Sequence, residues 1–372
     1  MMSPLTLRVA TFNVALARAR PGQLAADLEA EHPQPQRISK IIQHIRPDIL
    51  LLNEFDHDGA KKDDRSLTFF CEHYLGMGPK AIDYPYRYIV PTNTGLLAPV
   101  PLQGHAAPHL PQDGLGFGAF HGQYAMAVVS RYPLLVEQMR SFRHFLWQDM
   151  PNACLPTIAA EPYYHQDVLS VLPLSSKNHL DLPVLLPQGQ VVHLLAAHPA
   201  PPIDEGPERR NSCRNHDELR LWHDYIRAHR ADYLVDDAGA SSGLAKDKDF
   251  IIIGDLNADP RDGDGFRAAI QSLLNEPRLN REVALGHLRP ASCGGFSLRG
   301  KRTRRGSPRF WTHQQGLRLD YVLPSASLTA IASGVYWPQP YQLHAEWFWD
   351  KNGWPARARS SDHRLVWVDI KL

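Results

Sequence analysis

Apolar residues in this chain come in short runs whose spacing switches between the period of a strand and the period of a helix. Residues 5–14, LRVATFNVAL, mix β-branched and apolar side chains as a strand does, and Asn13 falls near the end of the run. Ile38, Ile41, Ile42 and Ile45 recur at i, i+3, i+4 and i+7, which lays one apolar stripe along a short helix that Pro47 terminates. The run 48–52 reads as a second buried strand, delivering Asn53 and Glu54 at its end. Strand, helix and strand in succession mark an α/β layered fold. The same criteria predict strands over 86–90, 124–130, 134–139, 182–186, 191–197, 250–255, 317–323 and 364–370, and helices near 63–75, 215–235 and 264–274. Two Pro/Gly/His-rich segments, 91–122 and 143–180, lack periodicity and read as long loops, which inside a compact domain are usually functional or mobile. No repeat or compositional break marks a linker. One elaborated domain over 1–372 is therefore expected, with insertions near 91–122, 143–180, 199–215 and 286–316.

The stretch Ile251-Ile252-Ile253-Gly254-Asp255-Leu256-Asn257 is the most informative of these runs. Three isoleucines after Phe250 predict a central strand buried on both faces. Side chains alternate along a strand, so Asp255 and Asn257 point the same way if the extended geometry persists. A plain strand-to-turn junction also favours Gly, Asp and Asn, for backbone reasons alone. Five other places repeat the pattern of a polar or ionisable residue at the end of an apolar strand: Asn13, Glu54, His198, Asp320, and Asp362 with His363. Each alone reads as a turn former. Together they read as a site, because strand ends are where loops from distant sequence converge in α/β sheets.

Composition narrows the options. Lys and Arg total 40 against 39 Asp and Glu, so no global field draws the chain to nucleic acid or an anionic membrane, and any polyanion contact must be local. Cys71, Cys154, Cys213 and Cys293 lie far apart without metal-finger spacing, and free, partly buried thiols are expected. No apolar run approaches the ~20 residues that span a bilayer. The N-terminal residues carry no signal-peptide pattern, which makes the chain cytoplasmic as written, or secreted if a leader precedes it.

The residue types fit one chemistry. Glu54, Asp255 and Asp362 offer hard oxygen ligands, and Asn13 and Asn257 add carboxamides, a set suited to Mg²⁺ or Mn²⁺ rather than zinc. His198 and His363 are then available for proton transfer or for hydrogen bonding to a phosphoryl oxygen, and Asp320 is available as an orienting carboxylate. Phosphoester hydrolysis suits such a site, because the metal and cationic donors offset developing charge while a carboxylate orients water.

Taken in order, TFNV at 11–14, LLLNEFD at 50–56, GQYAMAVVSRYPL at 122–134, LLAAHPAPP at 194–202, IIIGDLNADP at 251–260, LRLDYVLPS at 317–325 and SSDHRLVWV at 360–368 resemble the endonuclease/exonuclease/phosphatase (DNase I-like) family over nearly the whole chain. That resemblance implies a two-sheet β-sandwich flanked by helices, in four α/β/β/α layers. It further implies that Glu54 is the principal metal ligand, with Asn13 and Asp362 helping to hold the metal. By the same resemblance Asp255 orients the attacking water, Asn257 donates to the scissile phosphate, and His363 faces that phosphate, paired with Asp320. His198 resembles the second histidine of DNase I-like and sphingomyelinase-like members, which abasic-site endonucleases lack. Tyr124 and Arg131 fall where the family has a strand leading to a serine-arginine turn; packing is expected of Tyr124, and Arg131 is left open as a candidate substrate contact. The chain departs from the family pattern in having Asn53, not Gln, before Glu54, with Asp56 and Asp58 following.

The substrate is less legible. Arg209 and Arg210 follow His198 closely enough to clamp a phosphate, although a helix capped at Asn215 is an equal reading. Arg299, Lys301, Arg302, Arg304, Arg305 and Arg309 cluster upstream of Asp320, either as a solvated loop or as a hold on a nucleic-acid backbone. Trp337, Trp347, Phe348, Trp349 and Trp354 can stack bases or enter a lipid interface, but core cover ranks first. Three readings follow: a metal-dependent phosphodiesterase on nucleic acid, placed first; a phosphatase or phospholipase C-like enzyme on a small phosphorylated or lipid head-group substrate; and a non-catalytic binding module on the same fold.

Overall fold

The computed structural model describes residues 6–60, 63–104, 106–301, 303–356 and 359–372. The strands, in chain order, are β1 (Thr6–Leu16), β2 (Ile49–Phe55), β3 (Tyr86–Val90), β4 (Met126–Ser130), β5 (Arg140–Ser141), β6 (Thr157–Ile158), β7 (Glu161–Pro162), β8 (His179–Leu185), β9 (Val191–Ala197), β10 (Asp249–Asp255), β11 (Asp320–Pro324), β12 (Thr329–Val335) and β13 (Val366–Lys371). The α-helices are α1 (Gln23–Glu29), α2 (Pro33–Ile45), α3 (Arg65–Phe69), α4 (Gln166–Leu169), α5 (Arg210–Tyr225), α6 (Arg267–Leu274) and α7 (Arg281–Ala284). One sheet has six strands in the order β12-β13-β1-β2-β4-β3, and a second has five in the order β11-β10-β9-β8-β5.

Strand alternation explains the layers. Ile251 and Ile253 of β10 belong to the same apolar cluster as β1, β2, β4 and α2, so they face the first sheet. Phe250 and Ile252 belong to a second cluster with Leu219, Leu221 and Trp222 of α5 and Ile270 and Leu273 of α6, so they face those helices. Both faces of β10 are thus covered, as its unbroken apolar run requires. On the far side, Ile38, Ile41, Ile42 and Ile45 of α2 are buried against the first sheet. That helix begins at Pro33, with the His32 ring accepting Gln34 N–H at 3.3 Å, and stops where Arg46 turns left-handed ahead of Pro47. The result is the two-sheet sandwich between helices that the motifs imply.

Several expectations change. Residues 134–139 form no strand: Leu134 makes a single bridge to Val184, and Val136–Gln138 coil into a 3-10 turn. The helix expected over 215–235 runs from Arg210 to Tyr225, so Asn215 lies inside it and donates to Ala200 O at 2.9 Å and Leu256 O at 3.1 Å instead of capping. β12 was not foreseen, because it is a half-exposed edge strand without apolar alternation. Trp337, Trp347, Phe348 and Trp349 are buried, as expected of core cover, while Trp354 is exposed. Cys71 and Cys213 are buried free thiols. Among the described residues, no helix is long and apolar enough to cross a membrane.

Candidate active site

Strand register brings the dispersed polar residues to one edge of the sandwich. β1 and β2 run parallel with Asn13 opposite Asn53, so Asn13 and Glu54 leave their strands together. β9 and β10 are also parallel, with Ile253 opposite Ala196, which sets His198 just beyond β9 beside Asp255 at the end of β10. β11 is antiparallel to β10 and pairs Asp320 directly with Asp255. β13 is antiparallel to β1, with Val366 opposite Thr11, so Asp362 and His363 approach from the same edge. Ser361 fastens that approach by donating to Asn13 O at 2.7 Å and accepting His363 N–H at 3.0 Å.

At the centre, Asn13 Nδ2 donates to Glu54 Oε1 at 2.9 Å and Asp255 Oδ2 at 3.0 Å, while its Oδ1 accepts Ala15 N–H at 3.1 Å. Asn13 therefore orients two carboxylates and turns its carbonyl oxygen back to its own bulged strand. Asp255 Oδ2 also lies 3.4 Å from His198 Nε2 and 3.6 Å from His363 Nε2, and its Oδ1 accepts Asn257 N–H at 3.0 Å. Asn257 Nδ2 donates to Pro199 O at 3.0 Å. His363 Nδ1 meets Asp320 Oδ2 at 2.9 Å, and Thr312 Oγ1 donates to that same oxygen at 2.6 Å. Glu54, Tyr124 and Asn257 all have positive φ, at 54°, 58° and 50°, and all line one cavity of about 670 Å³. Asp204 on the same cavity has φ 51° as well, and left-handed backbone at four non-glycine residues around one cavity is the kind of strain that functional sites carry.

The two histidines sit in opposite electrostatic settings. Burial pulls the His198 imidazole below its ordinary range, and the Lys177 ammonium adds to that, outweighing the Asp255 carboxylate. Burial would lower His363 as well, but Asp320, Asp255 and Asp362 outweigh it and raise the imidazole to about 10. Asp255 lies well below the usual carboxylate range: although burial would raise it, His363 and His198 lower it further. The two imidazoles on either side of the Asp255 carboxylate are thus driven in opposite directions, a divergence of the kind found where acid and base roles are separated.

Beyond the centre the expectations divide. Arg131 is not part of the site: Ser130 pairs with Ile49 at the opposite end of β2 from Glu54, and Arg131 Nη1 is bound to Asp48 at 2.8 Å. Arg209 is tied to Glu205 at 2.9 Å and lies over the Phe266 ring, away from any clamp role. Arg210 lines the cavity but is paired with Glu208 and donates to Asp204 O. Arg304 lines the cavity, whereas Arg305 is drawn to Asp262, which also accepts its backbone N–H. Arg302 lies outside the described residues. Tyr124 reaches the cavity wall beside Phe117, a more exposed position than packing alone requires.

Sequence reasoning missed Thr312, His313 and Lys177. His313 lines the cavity with Nε2 3.5 Å from Asp362 Oδ2 and its ring 4.5 Å from that of His363, an arrangement made by a bridge between the two backbones. Nothing local in an irregular segment announces such a contact. Lys177 did have a signal: it falls just before β8, and starting that strand at His179 instead of 182 would have put it at a strand end like the others. Donor atoms of His313, Asp362 and His363, and of Asp255, Asp320 and His363, gather within 4.8 Å; with His363 raised and so withdrawn as a ligand, the carboxylates of these groups and Glu54 on the same cavity are the donors that fit a metal. Carboxylate oxygens dominate, which suits a hard divalent ion.

A sandwich of two mixed sheets between helices, with Asn, Glu, Asp and His side chains meeting at one strand edge, defines the DNase I-like class. The sequence model of the Endonuclease/Exonuclease/phosphatase family matches residues 10–363, and the chain belongs to that family, whose members are generally hydrolases. Among solved structures it is similar to an endonuclease/exonuclease/phosphatase from Beutenbergia cavernae DSM 12333, at 19% identity and a TM-score of 0.52, over 99% of this chain and 72% of that one. Others include the human Nocturnin catalytic domain with bound sulfate anion, at 15% identity and a TM-score of 0.48 over 99% and 93% of the two chains. Truncated Caenorhabditis elegans TDP2 matches at 14% identity and a TM-score of 0.45, over 99% and 98%. No curated protein sequence matches.

Proposed function

We propose that this protein is a divalent-metal-dependent phosphodiesterase. The observation that carries the reading is the Asp255 carboxylate held 3.4 Å from His198 Nε2 and 3.6 Å from His363 Nε2, in the cavity that Glu54, Asn257 and Asp362 also line. Glu54 and Asp362 would hold Mg²⁺ or Mn²⁺, with Asn13 setting the direction of the Glu54 carboxylate. When bound, that ion supplies Lewis-acid stabilisation of negative charge on the phosphoryl oxygens. Asp255, kept ionised by the two imidazoles, orients the attacking water; its low proton affinity makes it a weak base, so the His198 imidazole 3.4 Å away is the group that takes the water's proton. His363, protonated and braced by Asp320, donates from Nε2 to a phosphoryl oxygen. Asn257 stands beside them, its side-chain amide offering a second N–H once the first is used on Pro199.

The cavity favours a compact substrate over duplex nucleic acid, reversing the order of the first two sequence readings. Asp255, Asp320, His198 and His363 are each less than a tenth exposed, so the phosphorus has to descend into the cavity. Its walls include Leu102, Phe117, Tyr164, Leu172, Ile203 and Phe266, mostly from the long insertions. An organic group attached to one phosphate fits between such walls, whereas a duplex displays its phosphates on a convex rod. Of the basic loop, Arg304 lines the cavity while Arg305 is turned toward Asp262.

The test is hydrolysis of bis-p-nitrophenyl phosphate, p-nitrophenyl phosphorylcholine, p-nitrophenyl phosphate and plasmid DNA, with and without EDTA. Metal-dependent turnover of the compact diesters above the monoester and plasmid is expected, with loss in Asp255→Ala and His363→Ala. Wild-type turnover in either variant would remove the assignment, and plasmid cleavage outpacing the small diesters would restore nucleic acid.

A further inference from the structure

Lys177 is the buried charge that the reading above leaves unused. It is 6% exposed and lines the catalytic cavity. Its backbone is fixed on both sides: Asn93 N–H donates to Lys177 O at 3.0 Å, and Ser176 donates through N and Oγ to Glu218 Oε1 at 2.6 and 2.8 Å. Glu218 also accepts Ala200 N–H at 2.6 Å on its other oxygen, so one carboxylate of α5 ties the Lys177 segment to the segment that carries His198. The ammonium itself is poorly satisfied. Among the described residues its hydrogen bond is to Pro199 O at 3.5 Å, and no carboxylate lies within ion-pair distance of it. Pro199 O is the same atom that accepts Asn257 Nδ2, which places Nζ next to the proposed phosphate-facing amide.

A structural lysine buried this deeply should have a carboxylate in contact, because desolvating an ammonium is costly unless it is paired. Glu218 is the obvious counterion, yet its two oxygens are spent on three protein donors. An ammonium carries three N–H donors, and one distant carbonyl leaves the others for whatever enters the cavity. Burial pulls the Lys177 ammonium below its ordinary range, and the more distant carboxylates of Glu218, Asp255 and Glu54 only partly offset that, so a bound anion would supply the contact it lacks.

We propose that Lys177 is a substrate-binding residue whose ammonium holds a non-bridging phosphoryl oxygen, alongside Asn257 and across from His363. The proposal rests on the phosphodiesterase reading. It makes Lys177 a residue that trades stability for ligand binding, the kind of compromise found at functional sites. Removing the charge while keeping the volume should then leave the fold as stable or more stable, and weaken anion binding. A structural lysine would behave the opposite way.

The experiment is calorimetric titration of inorganic phosphate into wild type, Lys177→Met and Lys177→Gln, each with and without Mg²⁺, together with thermal unfolding. Hydrogen bonds to charged groups are worth enough that phosphate affinity should fall roughly ten- to hundredfold in both variants. The Tm should hold or rise in Lys177→Met. Lys177→Gln provides the same reading should the methionine variant fail to fold, because it keeps a donor for Pro199 O. Phosphate affinity within about twofold of wild type in a folded variant overturns the proposal, as does wild-type protein that binds no phosphate. If wild type hydrolyses the diester and Lys177→Met binds phosphate normally, only this proposal falls. If phosphate binding depends on Lys177 but wild type hydrolyses nothing, the phosphodiesterase reading falls and the anion site stands.

Discussion

Gly254→Ala is the substitution that most directly couples the fold of the central strand to the geometry of the site. Gly254 has φ +147°, where side chains are rarely tolerated, and a Cβ built there would lie 1.9 Å from Ala197 O of the neighbouring β9. That oxygen is backbone, so relief requires β9 and β10 to separate. Local backbone strain of about 1–3 kcal/mol and overpacking of about 1–3 kcal/mol together make about 4 kcal/mol a reasonable cost. For 372 residues, an unfolding entropy of about 2.1 cal/mol/K per residue converts this to a Tm drop of roughly 5 °C. The functional consequence is larger than the loss of stability. His198 follows Ala197 and Asp255 follows Gly254, so prising the strands apart lengthens the 3.4 Å approach between His198 Nε2 and Asp255 Oδ2. A displacement of ~1 Å can cost about a hundredfold in rate, which sets the expected fall in kcat/KM for bis-p-nitrophenyl phosphate at a temperature where the variant is folded. Calorimetry and steady-state kinetics read the two effects separately. A variant with Tm within about 1 °C of wild type and unchanged kcat/KM would refute the reasoning at its first step.

Asp320→Asn removes a carboxylate that raises His363 to about 10, so the alkaline limb of the kcat/KM profile should shift toward neutral pH; an unmoved limb would exclude His363 as the protonated donor. Acid stability follows from two other histidines: burial lowers His57 to about 4 and His179 to about 3, below the ordinary 6.5. Because the unfolded chain takes up protons there and the folded chain does not, stability is present above pH 6.5 and lost as pH falls, by about 2 kcal/mol per histidine on reaching about pH 5. Calorimetry at neutral and acid pH should show this, and His179→Gln should flatten the slope; an unchanged slope would place the proton uptake elsewhere. Arg131→Ala should leave turnover unchanged, since its partner Asp48 lies at the far end of β2.

Legibility in the sequence tracked how much of each feature is local. β1, β2 and β10 announce themselves because a strand covered on both faces must be apolar at successive positions. β12 could not be read, because TAIASGV is an edge strand in which small and polar residues separate Ile331, exposed, from Val335, so no apolar alternation marks it. The place of Arg131 could not be read from its motif, for a simple reason. A motif shows that a residue ends a strand but not which edge that end occupies, and β4 runs antiparallel to β2. Arg209 and Arg305 were plausible clamps by proximity, and only packing shows that Glu205 and Asp262 already use them.

By itself the sequence determined the inventory: which side chains stand at strand ends, that their oxygens suit a hard divalent ion, and that two histidines accompany them. Tertiary structure decided how they meet. The pairing of Asp255 with Asp320, the bridge that sets His313 against His363, and the burial and neighbouring carboxylates that push His198 down and His363 up depend on contacts between distant segments. Side-chain alternation is a property of a few consecutive residues, whereas register and desolvation exist only once those segments are packed together.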